Sequence, residues 1–414
     1  MTLGIAGIGG YAATIAQLIL ANEQATRPHV RLAAVCDPAP DAHGERVAEL
    51  KGQGVQVFDS FDALLDVDAI EAVWLPVPID LHEPFTRQAL AAGKAVMVEK
   101  PAAGTLDELD AMLAARDAAG LPVAVGFQDV YRPETLAIKH RLLEGVLGPI
   151  RRASVMGLWP RADTYFRRAP WAGRIAHNGR YVLDSPAQNA MAHYINLPLF
   201  LLGPELHDAA HPVAVEAELY RAADIENYDT ISARVTLDEG PPLLILLTHA
   251  CQRSAHPRIR LQGERGELTW WPIEAAAVID TPDGRERLGT PGVDDARRRM
   301  LQRFARLVRG LHEPDVAVAT LELARRHTLL VNAVSEAAPI VAVPEPACQR
   351  VEDQQGTITA IDGIEQAFER CAARHALLHE QGGLDFTTRA TRCSLEGYAR
   401  FAGPAGVSQT SQGR

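Results

Sequence analysis

The short apolar run Leu3–Ala6 ends in glycines, and the string that follows, Gly7-Ile8-Gly9-Gly10-Tyr11-Ala12, fits G-x-G-x-x-G/A with alanine in the last place. Helical spacing then runs over Ala12–Asn22. A glycine turn between a strand and a helix leaves few architectures open. Gly7 permits the tight turn, Gly9 lets backbone approach a pyrophosphate, and the small Ala12 lets helix and strand pack closely. The free N–H groups at the helix start then suit anionic oxygens. Such a string alone is an ordinary turn in most chains; the alternation around it carries the argument. Arg31–Cys36, Ala69–Leu75, Ala95–Val98 and Pro122–Gly126 read as strands, and Thr105–Ala119 as a helix closed by Gly120. Strands alternating with helices imply βαβ crossovers and a mostly parallel sheet, an α/β design, over residues 1–126.

The character changes after Gly148-Pro149. Residues 151–178 are rich in aromatics and arginines, and Leu183–Leu202 reads as a helix with an irregular start at Asp184-Ser185-Pro186. Val213–Tyr220, Thr230–Leu237, Leu243–His249 and Arg258–Gln262 are β-type runs separated by turn signals, which predicts an antiparallel, meander-like sheet. Asp294–Leu311 and Val316–Ala337 are amphipathic helices. The chain is thus expected to divide into a dinucleotide-binding domain (1–126), a second domain (127–345) and a partly helical extension (346–414) that carries a helix over Ile361–Gln381 and a frayed polar end, Ser408–Arg414.

Composition narrows the class. The 414 residues carry a formal net charge of −11, which disfavours non-specific binding to nucleic acid or to an anionic membrane. The five cysteines are scattered, with no CxxC pair, as expected of reduced thiols in a cytoplasmic protein rather than of a disulfide framework or a zinc site. There is no secretory signal pattern and no apolar run of the ~18 residues a membrane span needs.

Several residues can carry chemistry. Asp37 follows the strand Arg31–Cys36, 28 residues after Gly9; it can accept hydrogen bonds from ribose hydroxyls and repel a 2′-phosphate, favouring NAD over NADP, or it can be a turn aspartate before Pro38. Glu99-Lys100-Pro101 follows the buried-looking run Ala95–Val98, at the strand end where α/β folds place ligands. Lys100 can transfer a proton if its surroundings lower its pKa, or the pair can be solvated. Pro78-Ile79-Asp80-Leu81-His82 follows another strand in the same way, with helix capping as the plainer role for His82. Asn189, His193 and Asn196 share one face at helical spacing, and a polar stripe on an apolar helix must find partners or face a cavity.

These residues together resemble the glucose–fructose oxidoreductase, inositol dehydrogenase and rhizopine-catabolism (Gfo/Idh/MocA) oxidoreductases. The elements stand in family order over residues 3–345: Gly7-x-Gly9-x-x-Ala12, Pro78-x-x-x-His82, Gly93-Lys94 before Glu99-Lys100-Pro101, Gly126-Phe127, and the helix ending Leu202-Gly203. The resemblance implies a Rossmann domain and an α/β domain with a large open, mainly antiparallel sheet that commonly supports homodimers or homotetramers. It implies NAD, or NADP, held by Gly7, Ile8, Gly9, Gly10, Tyr11, Ala12, Asp37, Pro78, His82, Glu99, Lys100 and Gln128. Lys100 would touch both cofactor and substrate, and His193 matches the histidine of the second-domain Asp-x-x-x-His motif. The chain departs from the pattern at Asn189 and Asn196, where aspartates are usual, and at Gln128-Asp129-Val130, where an arginine is usual. An amide cannot take a proton, so the substrate's proton falls to His193 or Lys100, with Asn189 orienting the sugar. Arg161, Tyr165, Trp171 and Asp184 complete the expected substrate site; aromatic faces and arginines suit a sugar ring, its hydroxyls or a carboxylate, or they pack a domain junction.

The expected activity is hydride transfer between NAD(P) and a hydroxyl-bearing carbon of a sugar, sugar acid, cyclitol or glycoside, without a metal. Two alternatives stay open: a redox-neutral glycoside-modifying enzyme that keeps its NAD bound, and a non-catalytic NAD-binding sensor.

Overall fold

The computed structural model describes residues 1–23, 25, 27, 29–274, 276–289, 293–311 and 316–406; the expected frayed end, Ser408–Arg414, lies outside them. The chain divides into two compact units, one spanning 1–103, 108–132 and 292–324, the other 104–107, 133–291 and 325–414. The first unit takes in a segment from far along the chain, and the second takes in the extension.

The described residues of the first unit form a six-stranded parallel sheet from β1 (Thr2–Ala6), β2 (Arg31–Cys36), β3 (Gln56–Phe58), β4 (Ala72–Leu75), β5 (Ala95–Val98) and β6 (Val123–Val125), in the order β3-β2-β1-β4-β5-β6. Between them run α1 (Gly10–Asn22), α2 (Gly44–Gly52), α3 (Phe61–Leu65), α4 (His82–Ala91) and α5 (Leu106–Ala119). Both β4 and β5 are buried along their whole length, as apolar strands covered on both faces must be. The strand order reverses between β1 and β4, and ligands of such sheets lie outside the carboxyl ends at that reversal.

In the second unit α6 (Pro133–Leu143) leads into β7 (Ile150–Leu158), then α7 (Asp163–Phe166), a short ladder of β8 (Ala176–His177) with β9 (Arg180–Tyr181), and α8 (Ala192–Leu201). The sheet continues through β10 (Pro212–Arg221), β11 (Thr230–Leu237), β12 (Leu243–Thr248), β13 (Ala255–Gly263), β14 (Glu267–Trp271), β15 (Ala276–Thr281) and β16 (Gly284–Gly289). After α9 (Val293–Val308), which belongs to the first unit, and α10 (Leu321–Ala337) come β17 (Ile340–Ala342), the hairpin β18 (Cys348–Asp353) and β19 (Gly356–Ile361), α11 (Ile364–Arg374), α12 (Leu378–Gln381) and β20 (Thr391–Ser394). Among the described residues the large sheet has ten strands, β16-β15-β14-β13-β7-β12-β11-β10-β17 with β20 also on β10. It is mainly antiparallel, but β7–β12 and β10–β17 are parallel pairs.

One expectation needs correction, the continuous helix over Leu183–Leu202, and two other segments gain detail. The arginine-rich start of 151–178 is a central strand: Arg151 and Arg152 are exposed, but Ala153–Leu158 is buried. The predicted helix Leu183–Leu202 is two pieces, because Leu183 takes φ +48°, Pro186–Ala190 forms a π-helical turn, and Met191 (φ −114°, ψ 17°) breaks the run before α8 begins. The extension holds strands as well as helices. Its helices cover one face of the large sheet, where Phe368, Cys371 and Leu378 pack with Met156, Leu158, Leu244 and Leu246. On the alternate side of β7, a Cβ at Gly157 would stand 2.8 Å from Met191 Sδ, so a larger residue there would have to displace the Met191 side chain that leads into α8.

Candidate active site

In the first unit the site is built mostly of backbone. Gly7 takes φ +110° and its N–H donates to Cys36 O at 2.6 Å, tying the turn to β2. A Cβ on Gly7 would come within 3.0 Å of Ala12 Cβ, the close strand–helix approach that the spacing predicts. Gly9 is the N-cap of α1 and has no side chain to satisfy the first-turn N–H groups, while Gly10 has open space where a Cβ would be. That geometry suits a phosphate group. The Asp37 carboxylate accepts from Ile8 N at 3.2 Å and Ala39 N at 3.0 Å, so it clamps the glycine turn as well as lying beside it. His43 was not anticipated from sequence. Its Nε2 is 3.7 Å from Asp37 Oδ2, and its ring sits where a Gly9 side chain would go, 2.6 Å from that Cβ position.

Tyr11 contributes backbone to the turn but turns its ring elsewhere. Arg297 Nε donates to its hydroxyl at 3.2 Å, and burial, then the Glu99 charge, raises the phenol pKa. Glu99 is buried at the end of β5; Trp74 Nε1 donates to it at 3.1 Å and Lys100 N at 3.3 Å. Burial raises its pKa against the opposing pull of these hydrogen bonds and of Lys100. Gly126 must lack a side chain because the Glu99 carboxylate lies 2.5 Å from its Cβ position. Lys100 itself is half-buried. His82 is 1% exposed, with Nδ1 2.8 Å from Pro101 O and Nε2 2.9 Å from Val77 O. Its ring is thus taken up in holding together the loops after β4 and β5, a positioning role, and burial lowers its pKa. Pro78 caps the turn Ile79–Leu81 between them. Gln128 is buried on a 3₁₀ turn beside a salt bridge from Arg132 to Asp129 at 2.7 Å, both buried.

In the second unit the expected substrate residues form one connected cluster of side chains. The Arg168 guanidinium lies over Tyr165 (3.8 Å to the ring centroid) and Trp171 (4.7 Å), and Arg161 lies over Tyr165 (4.7 Å) and Trp159 (5.3 Å). Asp184 is the hub: its carboxylate accepts from Gly173 N at 2.7 Å, Asn189 Nδ2 at 2.8 Å and Arg168 at 3.4 Å. Trp159 packs edge-on to Tyr194, the neighbour of His193. The helical stripe predicted from Asn189, His193 and Asn196 is not continuous. Asn189 lies on the π turn and reaches back to Asp184, whereas His193 and Asn196 are on α8, both buried. Asn196 is 1% exposed, and neither end of its amide has a hydrogen-bond partner among the described residues. His249, which no sequence signal marked, lies beneath Tyr165 and Phe166, with Nδ1 2.8 Å from Trp159 O; burial, then the Arg161 charge, pushes its pKa down to about 3 and keeps the ring neutral.

Residues 1–127 match the family model described as the Gfo/Idh/MocA oxidoreductase family, NAD-binding Rossmann fold. The chain carries the NAD-binding domain of the Gfo/Idh/MocA oxidoreductases. Similarity to named relatives extends beyond that domain. It is 26% identical over 363 residues to a dTDP-3,4-didehydro-2,6-dideoxy-alpha-D-glucose 3-reductase of Streptomyces violaceoruber, covering 83% of this chain and 97% of the relative. It is 25% identical to an inositol 2-dehydrogenase of Rhizobium meliloti over 69% of this chain and 80% of the relative. Its fold is similar to that of the WlbA dehydrogenase from Bordetella pertussis, solved in complex with NADH and UDP-GlcNAcA (TM-score 0.65, 22% identity, 81% of this chain and 95% of the other). Among the described residues no helix is long and apolar enough to cross a membrane.

Proposed function

We propose that this chain is an NAD-dependent oxidoreductase acting on a hydroxyl-bearing carbon of a sugar, sugar acid, cyclitol or glycoside. The observation that carries the reading is the first unit's sheet end. One strand opens into an uncapped glycine turn at a helix start, and a second, two places along the sheet, ends in Lys100 with a buried carboxylate behind it. The named relatives, a sugar reductase and a cyclitol dehydrogenase, support the reaction class.

When bound, the nicotinamide supplies the two-electron acceptor or donor. The chain's own residues do the rest. The N–H groups of the glycine turn and the α1 start bind the pyrophosphate, and Asp37 takes the ribose hydroxyls and disfavours a 2′-phosphate. Lys100 and His193 are the proton-handling groups: one takes the proton from the substrate oxygen in oxidation and returns it in reduction. Asn189, held by Asp184, orients the substrate but cannot take that proton. Glu99 and His82 act as positioning residues through the Lys100–Pro101 loop.

The test is a panel. Sugars, sugar acids and cyclitols are offered with NAD and absorbance is followed at the reduced-nicotinamide band, alongside an NADH titration. Turnover of at least one panel member is expected. NADH binding with no turnover across the panel would favour a sensor instead.

A further inference from the structure

The second unit contains a cleft of about 1310 Å³ that extends from Arg161 and Arg168 to the hairpin β18–β19. Four segments wall it: the 161–174 stretch, the 221–226 turn after β10, Ala342 and Val343 at the end of β17, and the hairpin β18–β19 of the extension. Its charge is unlike that of the chain. Six arginines line it (Arg161, Arg167, Arg168, Arg174, Arg221 and Arg350) against Asp163, Asp224 and Glu226, a net +3 in a chain of net −11.

Half of those arginines are already balanced: Arg167 by Asp163 at 2.7 Å, Arg168 by Asp184 at 3.4 Å and Arg174 by Glu226 at 3.9 Å. The other three form no ion pair among the described residues, although the Arg221 charge acts on the buried Asp229 carboxylate. Arg161 donates to Pro160 O at 3.3 Å and Arg221 to Glu226 O at 3.0 Å, both backbone, and Arg161 Nε is buried with no hydrogen-bond partner. Arg350 is exposed on β18. Planar guanidinium groups outside any such ion pair, gathered around one cleft, suit an oxyanion from outside.

The walls are fixed in place. The face of the hairpin away from the cleft packs Ile358 and Ala360 on Ala162, next to Arg161, and Thr357 N donates to Asp163 at 3.2 Å. Arg350 is paired with Thr359 across the ladder, so Arg350, Thr357 and Thr359 share the opposite face and line the cleft. The Asp229 carboxylate accepts from Ala222 N at 2.8 Å and Ala223 N at 2.7 Å and holds the 221–226 wall.

We propose that this cleft binds a phosphate, diphosphate or carboxylate group of the substrate, and that the appended hairpin is there to supply one wall of it through Arg350. The cleft shares Arg161 and Arg168 with the cluster of Tyr165, Trp171 and Asp184, so the anion is held beside the residues assigned to the sugar. Its volume, above the ~300–1,000 Å³ typical of small-ligand pockets, leaves room for an anionic sugar derivative larger than a monosaccharide. This deepens the oxidoreductase reading and rests on it for the identity of the ligand as substrate.

The test uses the full chain and three probes, inorganic pyrophosphate, glucuronate and glucose, with binding followed by calorimetry on the wild type, Arg350→Gln and Arg350→Lys. At least one anion should bind and glucose should not. Arg350→Gln should weaken that anion about fivefold or more, and Arg350→Lys less, with NADH affinity unchanged in both. The stronger of the two anions identifies the phosphate or the carboxylate as the group recognised. No anion binding, or binding indifferent to Arg350→Gln, overturns the proposal. The two readings fail separately: turnover of a neutral sugar without anion binding sinks only the cleft, and anion binding without NADH binding sinks only the oxidoreductase.

Discussion

Two helix ends, one in each unit, are treated in opposite ways. At the start of α1 the N-cap is Gly9, no side chain among the described residues caps the first turn, and Gly10 leaves open space beside it. At the end of α8 the last carbonyls are met by a buried lysine: Lys139 Nζ donates to Phe200 O at 2.6 Å and to Gly203 O at 2.5 Å, with the Phe200 ring 5.1 Å away. A helix end buried in protein must be satisfied by protein, and one left open is available to a ligand. The contrast extends to the two sites. The first unit's is written in backbone, with Asp37 and His43 bracing the glycine turn; the second's is written in side chains, with Asp184 holding arginine, amide and backbone together.

The largest expected effect strikes the side-chain site. Asp184→Asn replaces an acceptor with a donor that faces Gly173 N–H or the Asn189 amide. Urea unfolding followed by tryptophan fluorescence should show a loss of about 2–3 kcal/mol. If stability is unchanged, the hub is dispensable and the contrast fails. Next comes the backbone site. Gly9→Ala puts a Cβ against the His43 ring and should weaken NADH about tenfold, on the order of 1.4 kcal/mol, with little effect on unfolding; unchanged NADH affinity would show that the turn does not need its glycine. The smallest effect is in pH. Burial lowers the Lys139 pKa from 10.5 to about 7. Between those values the unfolded chain holds the proton and the folded chain does not, so this group makes stability rise with pH across the window, while its penalty is fully present below about 7. The wild type should gain about 1 kcal/mol between pH 7 and 8 relative to Lys139→Met. Parallel pH profiles would show that the ammonium costs nothing there.

The same contrast explains what could be read from the sequence. The backbone site is legible because spacing alone encodes it: the glycine string, the alternation of strands and helices, and Glu99-Lys100-Pro101 at a strand end all stand in the structure as the pattern predicts. The large second sheet is legible as β-type runs, but the arginines at its start mask β7, and β14–β16 lie beyond the runs that the spacing marks. The side-chain site was legible only as a composition of aromatics and arginines. His43, His249 and Arg350 join their clusters from distant parts of the chain, and a lone histidine or arginine has no local pattern. The helix predicted over Leu183–Leu202 failed because Asp184 bonds Gly173 and Arg168, and those tertiary partners outweighed helical continuity.

The central claim is that Lys100 handles the substrate's proton while the glycine turn holds the cofactor. Lys100→Met, compared with the wild type on the panel substrate that turns over best, measures it directly, with kcat from the nicotinamide absorbance and the NADH dissociation constant from fluorescence. The account predicts a fall in kcat of about 10²–10⁴-fold with NADH affinity changed by less than about threefold. A variant that keeps its kcat, or one that loses NADH binding in step with turnover, would contradict it.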